Sequence, residues 1–214
     1  MDQPWGDLAL VWIVTSENRH QFGDVIAMMH RHRKAIFVDG LKWSVPVVDD
    51  QFEIDPFDTD EAVYLIALDP STQTHLGSVR LLPSTGAHLL GQMFSHLCDG
   101  PVPVSHDVWE ISRLCTAPGV KDARTIRRRL ATALMEFGLL YGVRQYTSVA
   151  HMAWLSQVLA AGWDCEPLGL PRKVDGEEIG AIAINVSPTA LQMFRQGLGL
   201  SRPLLHLPHQ TQAA

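Results

Sequence analysis

The sequence predicts a layered α/β domain, and three observations carry that prediction. Aliphatic runs of strand length, such as residues 108–116 and 179–186, alternate along the chain with longer stretches of helical periodicity; strands interleaved with helices bury their apolar faces as stacked layers. Ile126, Leu130, Leu134, Phe137 and Tyr141 recur at three- and four-residue spacing, a single stripe that needs a sheet to cover it. At 214 residues, 46% hydrophobic and 19% charged, the chain suits one well-filled core.

Taken in order, residues 8–14 read as a buried strand and 18–37 as a helix, with Ser16 placed to cap it. Residues 38–58 have little periodicity and are long for a connector, which favours a functional loop. Strands follow at 62–68 and 75–82, a short helix at 89–97 and a strand at 108–116. The clearest helix spans 122–141. Then come a strand at 145–150, a helix at 151–161, strands at 163–166 and 179–186, and a helix at 188–198. One domain over residues 1–200 is expected, with 201–214 a Pro- and Gln-containing tail that frays.

Composition excludes several classes. The net charge of −6 argues against a general nucleic-acid binder, which is usually basic. The longest apolar run, residues 8–14, is far too short to span a bilayer. Three cysteines, an odd number, give no disulfide framework, and the start of the chain shows no secretory pattern, so the cytoplasm is the expected compartment. The closest histidine pairs, His30/His32 and His206/His209, have no Cys or acidic partner at ligand spacing and read as surface and tail residues; no metal is expected.

One segment is unusual in its polar content. Arg33, Phe37 and Trp43 precede Glu53, Asp55, Phe57 and Asp58. Aromatic faces and carboxylates together suit a small cationic ligand. An acidic solvated loop with Trp43 and Phe57 folded onto the core accounts for the same residues. Arg80, Glu110 and Arg113 lie inside otherwise apolar strands. Buried charges cost several kcal/mol unless paired, and Asp55 and Asp58 are the candidate partners. A strict period of two puts Glu110 and Ser112 on one face and Arg113 on the other, a conflict that a bulge would relax. Lys121, Arg124, Arg127, Arg128 and Arg129 put five positive charges into nine residues of an acidic protein. They read either as a solvated helix face or as a docking patch for an acidic partner.

The spacing Arg33-x3-Phe37-x5-Trp43, the run Glu53-x-Asp55-x-Phe57-Asp58, the strand Val-Arg80-Leu-Leu-Pro and the strand Glu110-x-Ser112-Arg113 resemble the acyl-homoserine lactone synthases, the LuxI-type autoinducer synthases. The resemblance covers roughly residues 8–200. The chain departs from the usual pattern at His32, where the family often has an apolar residue, and at Gly40, where it often has a basic one.

The resemblance implies a three-layer α/β/α sandwich with a mixed, splayed sheet, similar to GCN5-related N-acetyltransferases, the splay lying between strands 108–116 and 145–150. It implies that S-adenosylmethionine is a substrate, with no cofactor, and that an acyl-carrier protein or acyl-CoA is the acyl donor. The methionyl amine attacks the thioester, and the methionyl carboxylate then closes the lactone and releases methylthioadenosine. By the same resemblance, Arg33, Phe37, Trp43, Asp55, Asp58, Arg80 and Arg113 hold S-adenosylmethionine. Glu110 is the base, with Asp55 competing. Phe94, Ser112 and Thr147 line the acyl or pantetheine path, Thr147 matching a threonine found where 3-oxo chains are preferred, and the basic cluster docks a carrier protein. Two alternatives remain: a generic acyl-CoA-dependent N-acyltransferase, whose phosphate-cradling glycine signature is missing from residues 113–120, and a non-catalytic carrier-binding homologue.

Overall fold

The aliphatic runs assemble into one mixed sheet in the computed structural model, which describes residues 10–160 and 163–207. The first half contains β1 (Val11–Val14), α1 (Gly23–Arg33), β2 (Val47–Val48), β3 (Phe52–Glu53), β4 (Val63–Leu68), β5 (His75–Pro83) and α2 (Leu89–Gln92). The second contains β6 (Val108–Thr116), α3 (Ala123–Tyr141), β7 (Gln145–His151), α4 (Met152–Ala160), β8 (Cys165–Pro167), β9 (Arg172–Val174), β10 (Glu177–Asn185), α5 (Pro188–Leu198) and β11 (Leu205–His206).

The sheet order is β11-β1-β4-β5-β6-β7-β10-β8, with β9 also paired to β10, while β2 and β3 form a separate hairpin. β6/β7 and β1/β11 are parallel and the other pairs antiparallel. On one face Leu65, Val79, Leu81 and Ile111 pack against Leu130, Leu134 and Phe137 of α3, together with Leu155 of α4 and Ala190 of α5. On the other, Tyr64, Ile66 and Leu82 pack with Met29 of α1 and Phe57. The result is the expected α/β/α sandwich. Each fully buried leucine contributes about 1.5–3 kcal/mol of transfer free energy.

Helix α3 forms as its pattern requires. The Asp122 carboxylate accepts the Thr125 N–H at the N-cap, and Gly142, at φ 72°, closes the C-terminus in the left-handed region. The first helix differs from expectation. Residues 19–22 are a 3₁₀ turn, α1 runs Gly23–Arg33, and Lys34–Gly40 continues as a π-helix that buries Phe37. Ser16 does not cap it. Asn18 instead ties the preceding turn, accepting from Thr15 N and donating to Ile13 O.

Two further expectations are corrected. The chain beyond Ser201 does not fray over residues 201–207. The buried Glu136 carboxylate accepts the N–H groups of Leu204 and Leu205, and β11 pairs with β1; residues 208–214 lie outside the described region. The strand expected at 163–166 is confined to Cys165–Pro167, and β9, polar and largely exposed, gave no alternation to read.

The strands that carry the site are irregular in two places. Ser78 faces Cys115 and Arg80 faces Ser112, so Val79 spans both Arg113 and Leu114. Arg113 takes φ 53°, unusual for a residue with a side chain. This is the bulge that period two required. β6 and β7 pair only from Val108↔Gln145 to Ile111↔Ser148, although both continue. Beyond that point they part, and the expected splay is there.

Candidate active site

On the α1/α2 face of the sheet, three arginines and three carboxylates close a ring of alternating charge. Arg33 meets Glu53 and Asp58, Arg80 meets Asp58 and Asp55, and Arg113 meets Asp55 and Glu53. Arg33 binds Asp58 with two bonds of 2.7 and 2.8 Å, and Arg113 gives Glu53 two of 3.0 Å. Arg80 grips Asp55 through both terminal nitrogens and donates its Nε to Ser112 Oγ at 3.0 Å. Tyr64 donates to Asp58 Oδ1 at 2.8 Å. No charge in the ring is left single, which is what permits six to sit out of water.

The local sequence explains the closure. Arg33 ends α1, Glu53 ends the small hairpin, and Asp55 and Asp58 fold back through the Asp55 N–H to Asp58 Oδ2 bond and the Phe57 N–H to Asp55 Oδ1 bond. Arg113 reaches the ring because the bulge turns it to this face. Burial opposes the Asp58 carboxylate, yet the Arg33 hydrogen bonds and the charges of Arg33 and Arg80 hold its carboxyl well below the usual range. The side chains of Arg33, Glu53, Asp58 and Arg80 are 0–2% exposed, against 4% for Asp55 and 7% for Arg113. The ring therefore opens only at its Asp55–Arg113 edge.

Aromatic rings border that edge. Phe37 and Trp43 stack at 4.8 Å, and Trp43 stacks on His151 at 5.6 Å. The Arg113 guanidinium lies 5.6 Å from the Phe37 centroid and 5.8 Å from that of Trp43. The acidic run is not solvated, since Glu53 and Asp55 are buried, while Phe57 folds onto the core as the alternative reading had it.

Glu110 stands apart from the ring. It is 1% exposed and accepts from Leu89 N at 2.9 Å and Leu90 N at 2.6 Å, the opening turn of α2. The expectation that an arginine or other charge of opposite sign would pair with it fails, because backbone N–H groups do so instead. Burial pushes its carboxyl up, opposed by those two N–H groups. Beside it in β7 is Thr147, 0% exposed, whose hydroxyl has no hydrogen-bond partner among the described residues. Phe94 packs with Leu90, Leu97, Val149 and Ala181, Val149 lying two residues beyond Thr147 on β7 and so on the same face.

The basic cluster is only partly brought together. Lys121, Arg124 and Arg127 are exposed, Arg128 donates to Gly197 O of α5, and Arg129 is half-buried. His30, expected at the surface, is buried and bonds Glu53 O at 2.8 Å, while His32 meets His75 at 2.8 Å. The sequence placed Glu53 in the acidic run without giving it a role in the site, and left Tyr64 and His151 out. The signal for His151 was the alternation Thr147, Val149, His151, which puts it on this face.

Comparison with known proteins decides the family. An autoinducer synthase family profile matches residues 17–193. The chain belongs to the autoinducer synthases. It is 36% identical over 163 residues to an acyl-homoserine-lactone synthase of Rhizobium etli, covering 74% of each protein. A CoA-dependent acyl-homoserine lactone synthase solved with SAM and isopentyl-CoA superposes with a TM-score of 0.86 at 28% identity, covering 92% of each chain. A putative N-acetyltransferase from Lactobacillus plantarum, 16% identical over 83% of this chain and 99% of its own, has a TM-score of 0.56 and shares the fold alone. Among the described residues of this autoinducer synthase, no helix is long and apolar enough to cross a membrane.

Proposed function

We infer that this autoinducer synthase makes an acyl-homoserine lactone from S-adenosylmethionine and an acyl-thioester, by amide formation followed by lactone closure with release of methylthioadenosine. The observation that carries the reading is the meeting of three features on one face: the open Asp55–Arg113 edge under its aromatic stack, the splay, and Glu110 beside the apolar path. The methionyl part and its sulfonium sit at the edge, the cation beside the Phe37–Trp43–His151 stack and the carboxylate toward Arg113. The thioester arm lies in the splay, where backbone N–H groups that lose strand partners are placed to bind the tetrahedral oxyanion. The acyl chain follows Thr147 toward Phe94.

Glu110 takes the proton from the attacking amine, directly or through a water. Each of its oxygens keeps a free lone pair, and burial raises its basicity. Asp55, the competing candidate, accepts two bonds from Arg80, one from Phe57 N and a contact from Arg113, so its lone pairs are spent as a clamp. The thioester is carried by a carrier protein docked on Lys121, Arg124 and Arg127, or by coenzyme A. Both substrates are made in the cytoplasm, where we place the enzyme. The test is purified protein with S-adenosylmethionine and short, long and branched acyl-thioesters. Acyl-homoserine lactone and methylthioadenosine are expected; neither product from any donor overturns the reading.

A further inference from the structure

His151 is the last residue of β7, three beyond Ser148, where pairing with β6 ends. It therefore lines the open part of the splay. Its ring stacks on Trp43, and its side chain is 30% exposed, so solvent reaches it. The charged groups near it are Glu177 of β10, whose Oε2 lies 3.7 Å from Nδ1, and Arg113, whose guanidinium lies 5.8 Å from the Trp43 centroid. Four other acid–base groups of this face are committed elsewhere, and His88 lies by Glu110. Asp55 is clamped between two arginines, Glu110 is enclosed under α2, His30 is buried on Glu53 O, and the Ser112 hydroxyl accepts from Arg80.

We propose that His151 is a catalytic proton donor, protonating the thiolate expelled when the amine takes the acyl group. The proposal rests on the acyl-thioester reading above. As the C–N bond forms, the C–S bond breaks and its electron pair goes to sulfur, which takes a proton from the imidazolium. The proton lost by nitrogen goes to Glu110. Solvent then reprotonates His151 and accepts the Glu110 proton, so the cycle closes with a free thiol and an amide. The stack on Trp43 holds the ring at the point where the arm would pass between the strands.

The experiment compares leaving groups. With an acyl-CoA donor, His151→Gln should lower kcat by about 10²-fold, and the alkaline fall in the kcat–pH profile should disappear. With the matching acyl-thiophenol, whose thiolate leaves without a proton, the loss should shrink to about threefold or less, and KM for S-adenosylmethionine should stay within about twofold throughout. His151→Phe keeps the stack on Trp43 and should lose as much as His151→Gln. Equal loss with both donors, or near-normal turnover of His151→Phe, overturns the proposal. If the unmutated enzyme releases no methylthioadenosine with either donor, the acyl-thioester reading fails and this proposal falls with it.

Discussion

Two polar regions share one face of the sheet and are built on opposite principles. In the arginine–carboxylate ring every charge has two partners, and nothing is left over for chemistry except along the Asp55–Arg113 edge. A few residues away, Glu110 has two backbone donors and open lone pairs, and the Thr147 hydroxyl has no partner among the described residues. Saturated groups hold a shape, because any movement breaks a bond. Groups left with spare capacity can bind or exchange protons, and burial makes that capacity count for more. The ring is saturated by its own members, whereas hydrogen-bonding capacity remains at Glu110 and Thr147, where the proposed function puts the substrate.

The largest expected effect breaks the ring. Asp58→Asn strands Arg33 and Arg80 without their shared carboxylate and should cost about 3–5 kcal/mol of stability, read as a fall in the urea midpoint. A midpoint close to that of the parent would mean that the ring is not the scaffold. Next, Glu110→Gln should lower kcat by about 10²-fold. Its amide cannot accept from both Leu89 and Leu90 N–H groups, so a loss of about 1–3 kcal/mol in stability should accompany the kinetic defect.

Acid should weaken the fold through a third polar pair before it reaches the ring. Burial, and then the charge of His32, push the His75 imidazole down to about 3, and burial also lowers His32. A value depressed on folding contributes stability that is present above the unfolded value near 6.5 and is lost as pH falls toward 3. Glu110 acts with the opposite sign: its raised carboxyl contributes below its ordinary range, and that contribution is lost as pH rises through the folded value. The difference in unfolding free energy between the parent and His75→Gln isolates the histidine, and it should shrink as pH drops below 6.5. A constant difference would remove His75 from the account.

Smaller effects sharpen the comparison at its edges. Reversing Lys121, Arg124 and Arg127 to Glu should raise KM for an acyl-carrier protein several-fold, roughly in line with the loss of surface steering, while acyl-CoA suffers less. Added salt should mimic the change. Equal loss with both donors would make the patch a solvated face. Thr147→Val removes the unpaired hydroxyl and keeps the shape. The kcat/KM ratio for 3-oxo against unsubstituted chains should shift toward the unsubstituted chain, by at most about tenfold. An unchanged ratio would leave Thr147 as packing.

The elements legible in the sequence are those whose pattern repeats. α3 falls where its apolar stripe places it, α5 covers the residues expected of it, and β6 runs over the residues that its apolar run marks. The π-helix at Lys34–Gly40 and the pairing of β11 were not legible, since each depends on distant partners, a buried Phe37 in one case and Glu136 in the other. Arg80 and Arg113 of the ring stood out as charges in apolar strands, and Arg33, Glu53, Asp55 and Asp58 as part of a segment unusually rich in polar groups. The ring's closure did not, because any of the three arginines could meet any of the carboxylates until the bulge at Arg113 selects the pairing. His151 was overlooked because its partner Trp43 arrives from a loop more than a hundred residues earlier in the chain.

The most direct test of this division of labour is the single-turnover rate of amide formation, at saturating substrates and at a temperature where every variant is folded. Glu110→Gln should be slowed by about 10²-fold, and Asp55→Asn, once its weaker binding is saturated, by no more than about tenfold. A slow Asp55→Asn beside a near-normal Glu110→Gln would contradict the account and move the proton acceptor into the ring.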